Sequence, residues 1–525
     1  IASARRSYLQ FLFASLGLPF LPTYNDFQIK TRTRINERNE ILFIGLGALD
    51  QSELNLKANK TESQRYILDY LPVNTQWNYT AGIVYKHYRH RSSDTWVISR
   101  NRLNNRQYKY MNNVEVDSLK TLDYNSYETE NKFRFEHNTR TAAGYKINFG
   151  AGMEYASYYN YTFKKLYTGL PFAYISNLDI FKWNLFGQAS KTFFSDKLLV
   201  SLGLRADASS YSSETSNLLK QLSPRLSASY SLSSKWSLSG NIGRYYQLPS
   251  YTTLGFRNAA GELVNKQNDI TYISANHAVV GMEFLPNQVS RLSVEGFYKW
   301  YTHYPFSVAD SVSISSKSVD FGTFGDEEVK PISRAKAYGV EVLYQNKDLQ
   351  KVNLIVSVTL ARSLATNASG QYIPTAWDNK YIVNITGLRS FGRNWDIGFK
   401  WRLVGGAPYT PWDLNKSSLV EAWDAQGRAY PDFSRFNQLR LKPFHQLDVR
   451  IDKGYFLRHW TLRFYVDIQN VYNFKADEPS QLIRQSDASG NLIPASGVPP
   501  RYSLKTLSSV GGGTILPTIG IIVEF

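Results

Sequence analysis

The feature that most constrains this chain is the alternation of side chains between His459 and Gln469. Trp460, Leu462, Phe464, Val466 and Ile468 fall on one face, and His459, Thr461, Arg463, Asp467 and Gln469 fall on the other. Successive side chains point to opposite sides of a strand, so this segment is apolar on one side and charged on the other. Residues 515–525 repeat the pattern, with Ile515, Ile519, Ile521, Val523 and Phe525 set against Thr518, Gly520 and Glu524. A strand of about ten residues with an apolar outer face and aromatic ends is the unit of a transmembrane β-barrel.

The same parity recurs along the chain. Trp395, Ile397, Phe399, Trp401 and Leu403 oppose Asp396, Lys400 and Arg402, and Leu198, Val200, Leu202 and Leu204 oppose Ser201, Arg205 and Asp207. A soluble β-sandwich also alternates. Its strands are usually about 5–6 residues long, whereas these segments run to ten or more. The chain reads as strand, short turn, strand, long loop, repeated. Short connections such as residues 36–39, Ser195-Asp196, Ser233-Ser234, Pro286-Asn287 and Gly392-Arg393 carry turn chemistry. Long polar and aromatic stretches fall near 50–73, 104–123, 159–177, 248–273, 304–334, 407–442 and 473–514. The predicted fold is all-β: a transmembrane antiparallel barrel of about twenty strands, uninterrupted by helices, with residues 1–525 as one barrel domain.

Alternating connection lengths assign sides, because outer-membrane barrels keep short turns at the periplasm and long loops outside. Trp96, Trp236, Trp395 and Trp460 each lie near the beginning of a strand that follows a short turn. That is where an aromatic girdle belongs. At the other end of the chain, Arg5-Arg6 before an apolar stretch imitates a signal peptide, but Gln10, Ser15, Gly17 and Pro19 interrupt the run and no small-x-small site follows. Residues 1–11 are predicted to form a strand entered partway, followed by a loop closed by Pro19 and Pro22.

Composition agrees with a wet-cored barrel. Aromatics make up 15% and charged residues 20% of the 525 residues. A mean hydropathy of −0.36 is too polar for a bundle of membrane helices. There is no cysteine, which excludes disulfides, thiolate metal sites and a catalytic thiol. The net charge of +17 is spread over strand positions and strand ends. Nucleic-acid binding would gather it on one element, so scattered cations fit a solvated lumen and anionic lipid head groups instead.

Several segments go beyond pattern. Leu222–Tyr230 (LSPRLSASY) followed by residues 236–250 (WSLSGNIGRYYQLPS), with residues 198–207 (LLVSLGLRAD) ahead of them, resembles the mid-barrel signature of TonB-dependent outer-membrane receptors. Residues 337–343 (AYGVEVL), 377–387 (WDNKYIVNITG), 444–450 (FHQLDVR), 467–473 (DIQNVYN) and 516–525 (LPTIGIIVEF) are similar to later motifs of that family, in the family's order. The style of the ending, and the RRSYL opening at Arg5, resemble receptors of Bacteroidetes-type Gram-negative bacteria. The resemblance implies proton-gradient-driven uptake, across the cell outer membrane, of a small nutrient ligand too large or scarce for porins. It also implies about twenty-two strands around an N-terminal plug, with a TonB box ahead of the plug. Nothing here resembles the plug or the box, which implies an N-terminally truncated barrel. The implied partners are the TonB complex through the missing region, outer-membrane lipid and lipopolysaccharide, and the barrel assembly machinery, for which Phe525 would be the terminal signal. No cofactor and no nucleic acid are implied. A passive porin or an adhesin-like barrel is the alternative.

No residue constellation points to catalysis. The seven histidines are scattered, His87 and His90 sit where a strand meets a turn, and no serine has a nucleophile context. Gly511, Gly512 and Gly513 form a hinge rather than a phosphate cradle, since no helix follows them. Ligand contacts are expected on the outer loops, where Tyr409, Trp412, Trp423, Arg428, Tyr430 and Arg435 place aromatic surface beside cations, with Trp377 on a neighbouring loop. The same aromatics equally suit an outer interface belt, or packing of the loops against one another.

Overall fold

The computed structural model describes residues 1–165, 171–317, 325–487, 491–507 and 513–524. Phe525, Gly511 and Gly512 lie outside the described residues. One 21-stranded sheet dominates. Its strands follow chain order from Ala2–Arg6 to Leu516–Glu524, each antiparallel to its neighbours. The exception is Tyr372–Pro374, a short strand that pairs only with the end of Val352–Thr366, whose remaining length pairs with Tyr381–Phe391. The other twenty form a continuous up-and-down meander, as the alternating connections require.

Parity holds across the ladders. Phe464 pairs with Ile521 and Leu462 with Val523, so apolar side chains stack on one face, where Ile521 is 61% exposed. On the other face Tyr465 covers Gly520 and lies under the Arg450 guanidinium at 4.0 Å. Tight turns are set by residues with positive φ, among them Phe194, Ser195 and Asp196, and Arg393 with Asn394.

No backbone ladder joins the first and last strands among the described residues. Side chains bridge the two ends of the sheet. Tyr8 bonds Thr518, Tyr66 bonds Gln481, and Lys505 pairs with Glu62 at 2.7 Å.

Three expectations are corrected. Residues 1–11 are not one strand: Ala2–Arg6 is a strand, Leu9–Ser15 is a helix, and the next strand already begins at Phe20, with Pro22 inside it. Short helices also occur in the loops, such as Glu62–Tyr70 behind a Thr61/Gln64 capping box. Strands also outrun their expected ends. Lys120–Arg140 has 21 residues and Phe172–Phe193 has 22, beyond the roughly 9–11 that cross a bilayer. In residues 172–181 of the longer strand, one face, with Tyr174, Leu178 and Ile180, is buried, while the other, with Ile175 and Phe181, is exposed. Among the described residues no helix is long and apolar enough to cross a membrane.

Candidate functional site: inner wall and outer loops

Three neighbouring strands, Lys120–Arg140, Lys146–Lys164 and Phe172–Phe193, build a charged square on the face opposite the apolar band. Lys132 stands across from Glu154, and Glu154 across from Lys182. Glu130 completes the set, 2.7 Å from Lys132 and 3.6 Å from Lys182. Two cations and two anions balance, which lets charges sit half-buried without stranding one.

A loop reaches into this square. The helical turn Tyr251–Gly255 is capped by Ser250, whose side chain accepts from the Thr253 N–H. Tyr251 donates to Glu130 at 2.6 Å and also contacts Glu154 and Lys182. Burial, followed by the hydrogen bond to Glu130, holds the Tyr251 phenol well above its ordinary pKa, so it remains a neutral donor. Beneath it, Tyr158, Leu178 and Ile180 of the wall pack with Leu254, Ile270, Ile314 and Val329 of the loops. Each such apolar side chain, fully buried, contributes about 1.5–3 kcal/mol. Asn265, wholly buried, donates to the Thr253 and Glu327 carbonyls and accepts from the Val329 N–H, joining two loops. Gly255 is required by close approach, since a Cβ there would lie 2.7 Å from the Tyr158 ring. Both loops are therefore folded onto the inner wall.

A second cluster holds two of the loop residues singled out from sequence, Trp412 and Trp423. Trp423, Ala429 and Leu482 are buried together, with Trp412, Tyr502 and Leu504 against them. Trp412 Nε1 donates to the Ser480 carbonyl at 2.8 Å, and Tyr430 donates to the Ala422 carbonyl at 2.9 Å beneath the Lys416 ammonium. Trp423 is 4% exposed, so its ring serves the loop's own core and offers no open stacking surface. Tyr409 lies half-buried in a two-residue pairing with Leu439. Arg428 reaches the Tyr70 hydroxyl, Arg435 is exposed, and Trp377 is 67% exposed outside both clusters.

Sequence reasoning missed the residue beside Trp377. Asp378 is buried, accepts from the Ser363 N–H and from Arg362 Nε at 2.8 and 3.0 Å, and also pairs with Arg440. This carboxylate ties together a strand end, the 375–380 connection and the 407–442 loop. The 377–387 motif contained it, but attention fell on the tryptophan. Glu130, Lys182 and Tyr251 left no local signal, being far apart in the chain.

Three of the four tryptophans after short turns, Trp96, Trp236 and Trp395, lie in strands, and Trp460 lies in the turn before one. Trp96 stacks between Tyr85 and Phe135, Trp236 stacks on Phe284 at 4.2 Å, Trp395 carries the Lys453 ammonium, and Trp460 is exposed in its turn. Among the described residues no group of three or more His, Asp or Glu side chains is arranged to hold a metal ion.

A family model described as TonB dependent receptor-like, beta-barrel, matches residues 6–471. No curated protein sequence matches the chain. Among solved structures, the chain is similar to the ferric-catecholate import receptor Fiu of E. coli (TM-score 0.61, 10% identity, 96% of this chain and 78% of that one). It is also similar to the ferripyoverdine receptor of the Pseudomonas aeruginosa outer membrane (TM-score 0.65, 10% identity, 90% and 63%). A third is the ferric yersiniabactin uptake receptor FyuA of Yersinia pestis (TM-score 0.59, 11% identity, 96% and 70%). At such identities the likeness is one of fold. With the family model matched over most of its length, this chain belongs to the TonB-dependent receptor-like β-barrel family.

Proposed function

We propose that the chain is the barrel of an outer-membrane receptor that imports a scarce nutrient ligand using work delivered by TonB from the proton gradient. The observation that carries this reading is the family match over residues 6–471, on a sheet whose loops fold onto its inner wall. The test uses the gene as it stands in the source organism. The sequence style supports a Bacteroidetes-type receptor.

Ligand contact is proposed at the exposed residues Trp377, Arg428 and Arg435 and at half-buried Tyr409, with Trp412, Trp423 and Tyr430 supporting the 407–442 loop. Trp96, Trp236, Trp395 and Trp460 are proposed as the periplasmic-side girdle, in contact with membrane lipid. Similar structures are named for ferric chelates, so a ferric chelate is the first ligand to test. Growth with limiting iron supplied as such chelates should fall when this gene is deleted, with no further fall from this pathway when TonB is also lost. Additive defects would place the barrel outside the TonB route.

A further inference from the structure

The inner face of two neighbouring strands, Val73–Tyr88 and Ser92–Tyr110, is built largely from carboxamides. Asn101 stands across from Glu130 of the charged square, which fixes its side of the sheet. The same parity carries Asn105 and Gln107. Opposite these two stand Gln76 and Asn74, and Asn78 lies across from Leu103. Counted from Trp96, Gln107 lies eleven residues on, a full bilayer crossing for a tilted strand. The block of amides therefore climbs the inner wall to its outer mouth.

The block is polar without being basic. Gln76 faces Asp50, Asp50 faces Tyr24, and the Tyr24 side chain is 48% exposed. On the other side Leu103 faces Glu128. The nearest inward cation along the strand, Lys109, is taken up by the Leu71 carbonyl at 2.9 Å and Asn113 at 2.6 Å. Lower on the same wall the amides are engaged, since Asn138 and Asn148 both donate to Glu136. Here Asn74 and Asn105 each bury a side-chain oxygen that receives no hydrogen bond. Such an orphan acceptor costs stability until a donor reaches it. Both strands are paired along both edges, so no backbone edge is open to an extended peptide.

We propose that this block binds the hydroxyls of an uncharged sugar, presented by a free oligosaccharide or by a sugar-bearing ferric chelate. Each carboxamide offers two donors and an acceptor, and Asp50 and Glu128 offer acceptors only. A row of hydroxyls, each both donor and acceptor, satisfies that mixture and supplies the donors that Asn74 and Asn105 lack. An anionic ligand finds no counter-charge on the block and meets two carboxylates instead. The Tyr24 ring gives the C–H face of a sugar an apolar surface beside the Asp50 carboxylate. The site rests on the receptor reading above and names the chemistry of its ligand.

Isothermal titration of the full chain, in a detergent without a sugar head group, tests it. The probes are neutral hexasaccharides of glucose, galactose and mannose, and a glucosylated ferric catecholate beside its sugar-free parent. Either a hexasaccharide should bind, or the glucosylated chelate should bind about tenfold tighter than its parent, and these two arms tell the sources apart. Gln76→Leu/Asn105→Leu should weaken that binding about tenfold, the loss expected for one or two hydrogen bonds. Tyr24→Ala should weaken it as well. Asn384→Leu, at an amide bonded to Ser357 on another strand pair, should not. Absence of binding by every probe, equal binding by the double variant, or displacement of the sugar by a neutral hexapeptide would overturn the site. If the double variant fails to show heat-modifiable mobility, Tyr24→Ala and the peptide competition decide the matter. Uptake that ignores TonB while sugar binding persists would instead remove the import reading and leave the site standing.

Discussion

The hydroxyl of Tyr8 lies 3.1 Å from Thr518 Oγ1, although 510 residues of chain separate them. That contact, with Glu62–Lys505 and Tyr66–Gln481, brings the two ends of the sheet together by side chains. Each is at least partly exposed, so each contributes little alone. Tyr8→Phe is expected to cost about 0.5–1.5 kcal/mol. Lys505→Glu is expected to cost no more than about 1 kcal/mol. Urea unfolding in detergent, followed by tryptophan fluorescence, measures both. A loss of several kcal/mol from either would show that one contact dominates the seam.

Asp378 is a different case, because its carboxylate is fully buried between Arg362 and Arg440. Asp378→Ala leaves two guanidinium groups facing each other without an anion. Both keep some water contact, which puts the expected cost near about 3 kcal/mol, the low end for breaking a buried pair. The same unfolding assay reads it, and a change of less than a third of that size would mean that the loop does not depend on the pair.

Parity makes a sharp comparison at adjacent residues. Phe464 belongs to the exposed apolar face with Ile521, and Tyr465 to the opposite face over Gly520. Phe464→Arg is expected to lower stability in bilayers by about 2–4 kcal/mol, and Tyr465→Arg by clearly less. Equal tolerance of the two substitutions would reverse or erase the assignment of faces.

Much of this architecture was legible beforehand, and the reasons are local. Alternation at Trp395–Leu403 and Trp460–Ile468 records which face meets lipid, and turn residues such as Ser195 and Asp196 record where the chain reverses. The far strand ends were not legible, because loops cover one face there and bury polar residues such as Thr162 and Ser176 beside Leu178, so polarity no longer marks which side is covered. The Leu9–Ser15 helix was hidden by its own polar residues, Gln10 and Ser15. The Glu62–Tyr70 helix did announce itself through Thr61 and Gln64, a capping-box spacing that was overlooked. The candidate site was hardest to read. Glu130 meets Tyr251 across 121 residues and Arg440 meets Asp378 across 62, and no local pattern encodes such pairs. Trp423 misled for a related reason: an aromatic residue in a long loop serves a ligand or the loop's own core, and only packing distinguishes them.

The covered inner wall should limit passage through the barrel. Leu254 is fully buried in the loop core, so Leu254→Asp sets a carboxylate among apolar side chains and should expel the Tyr251–Gly255 turn from the wall. Planar-bilayer conductance of the variant is expected to exceed that of the wild type. Identical conductance would show that this loop does not restrict the lumen.

Energised import is tested most directly by uptake. Cells of the source organism, with and without the gene, are given radiolabelled ferric chelates in TonB-intact and TonB-deleted backgrounds. Accumulation is expected to require the gene and to vanish when TonB is lost or the proton gradient is collapsed. Gene-dependent accumulation that persists without TonB would contradict it and make the barrel a passive pore.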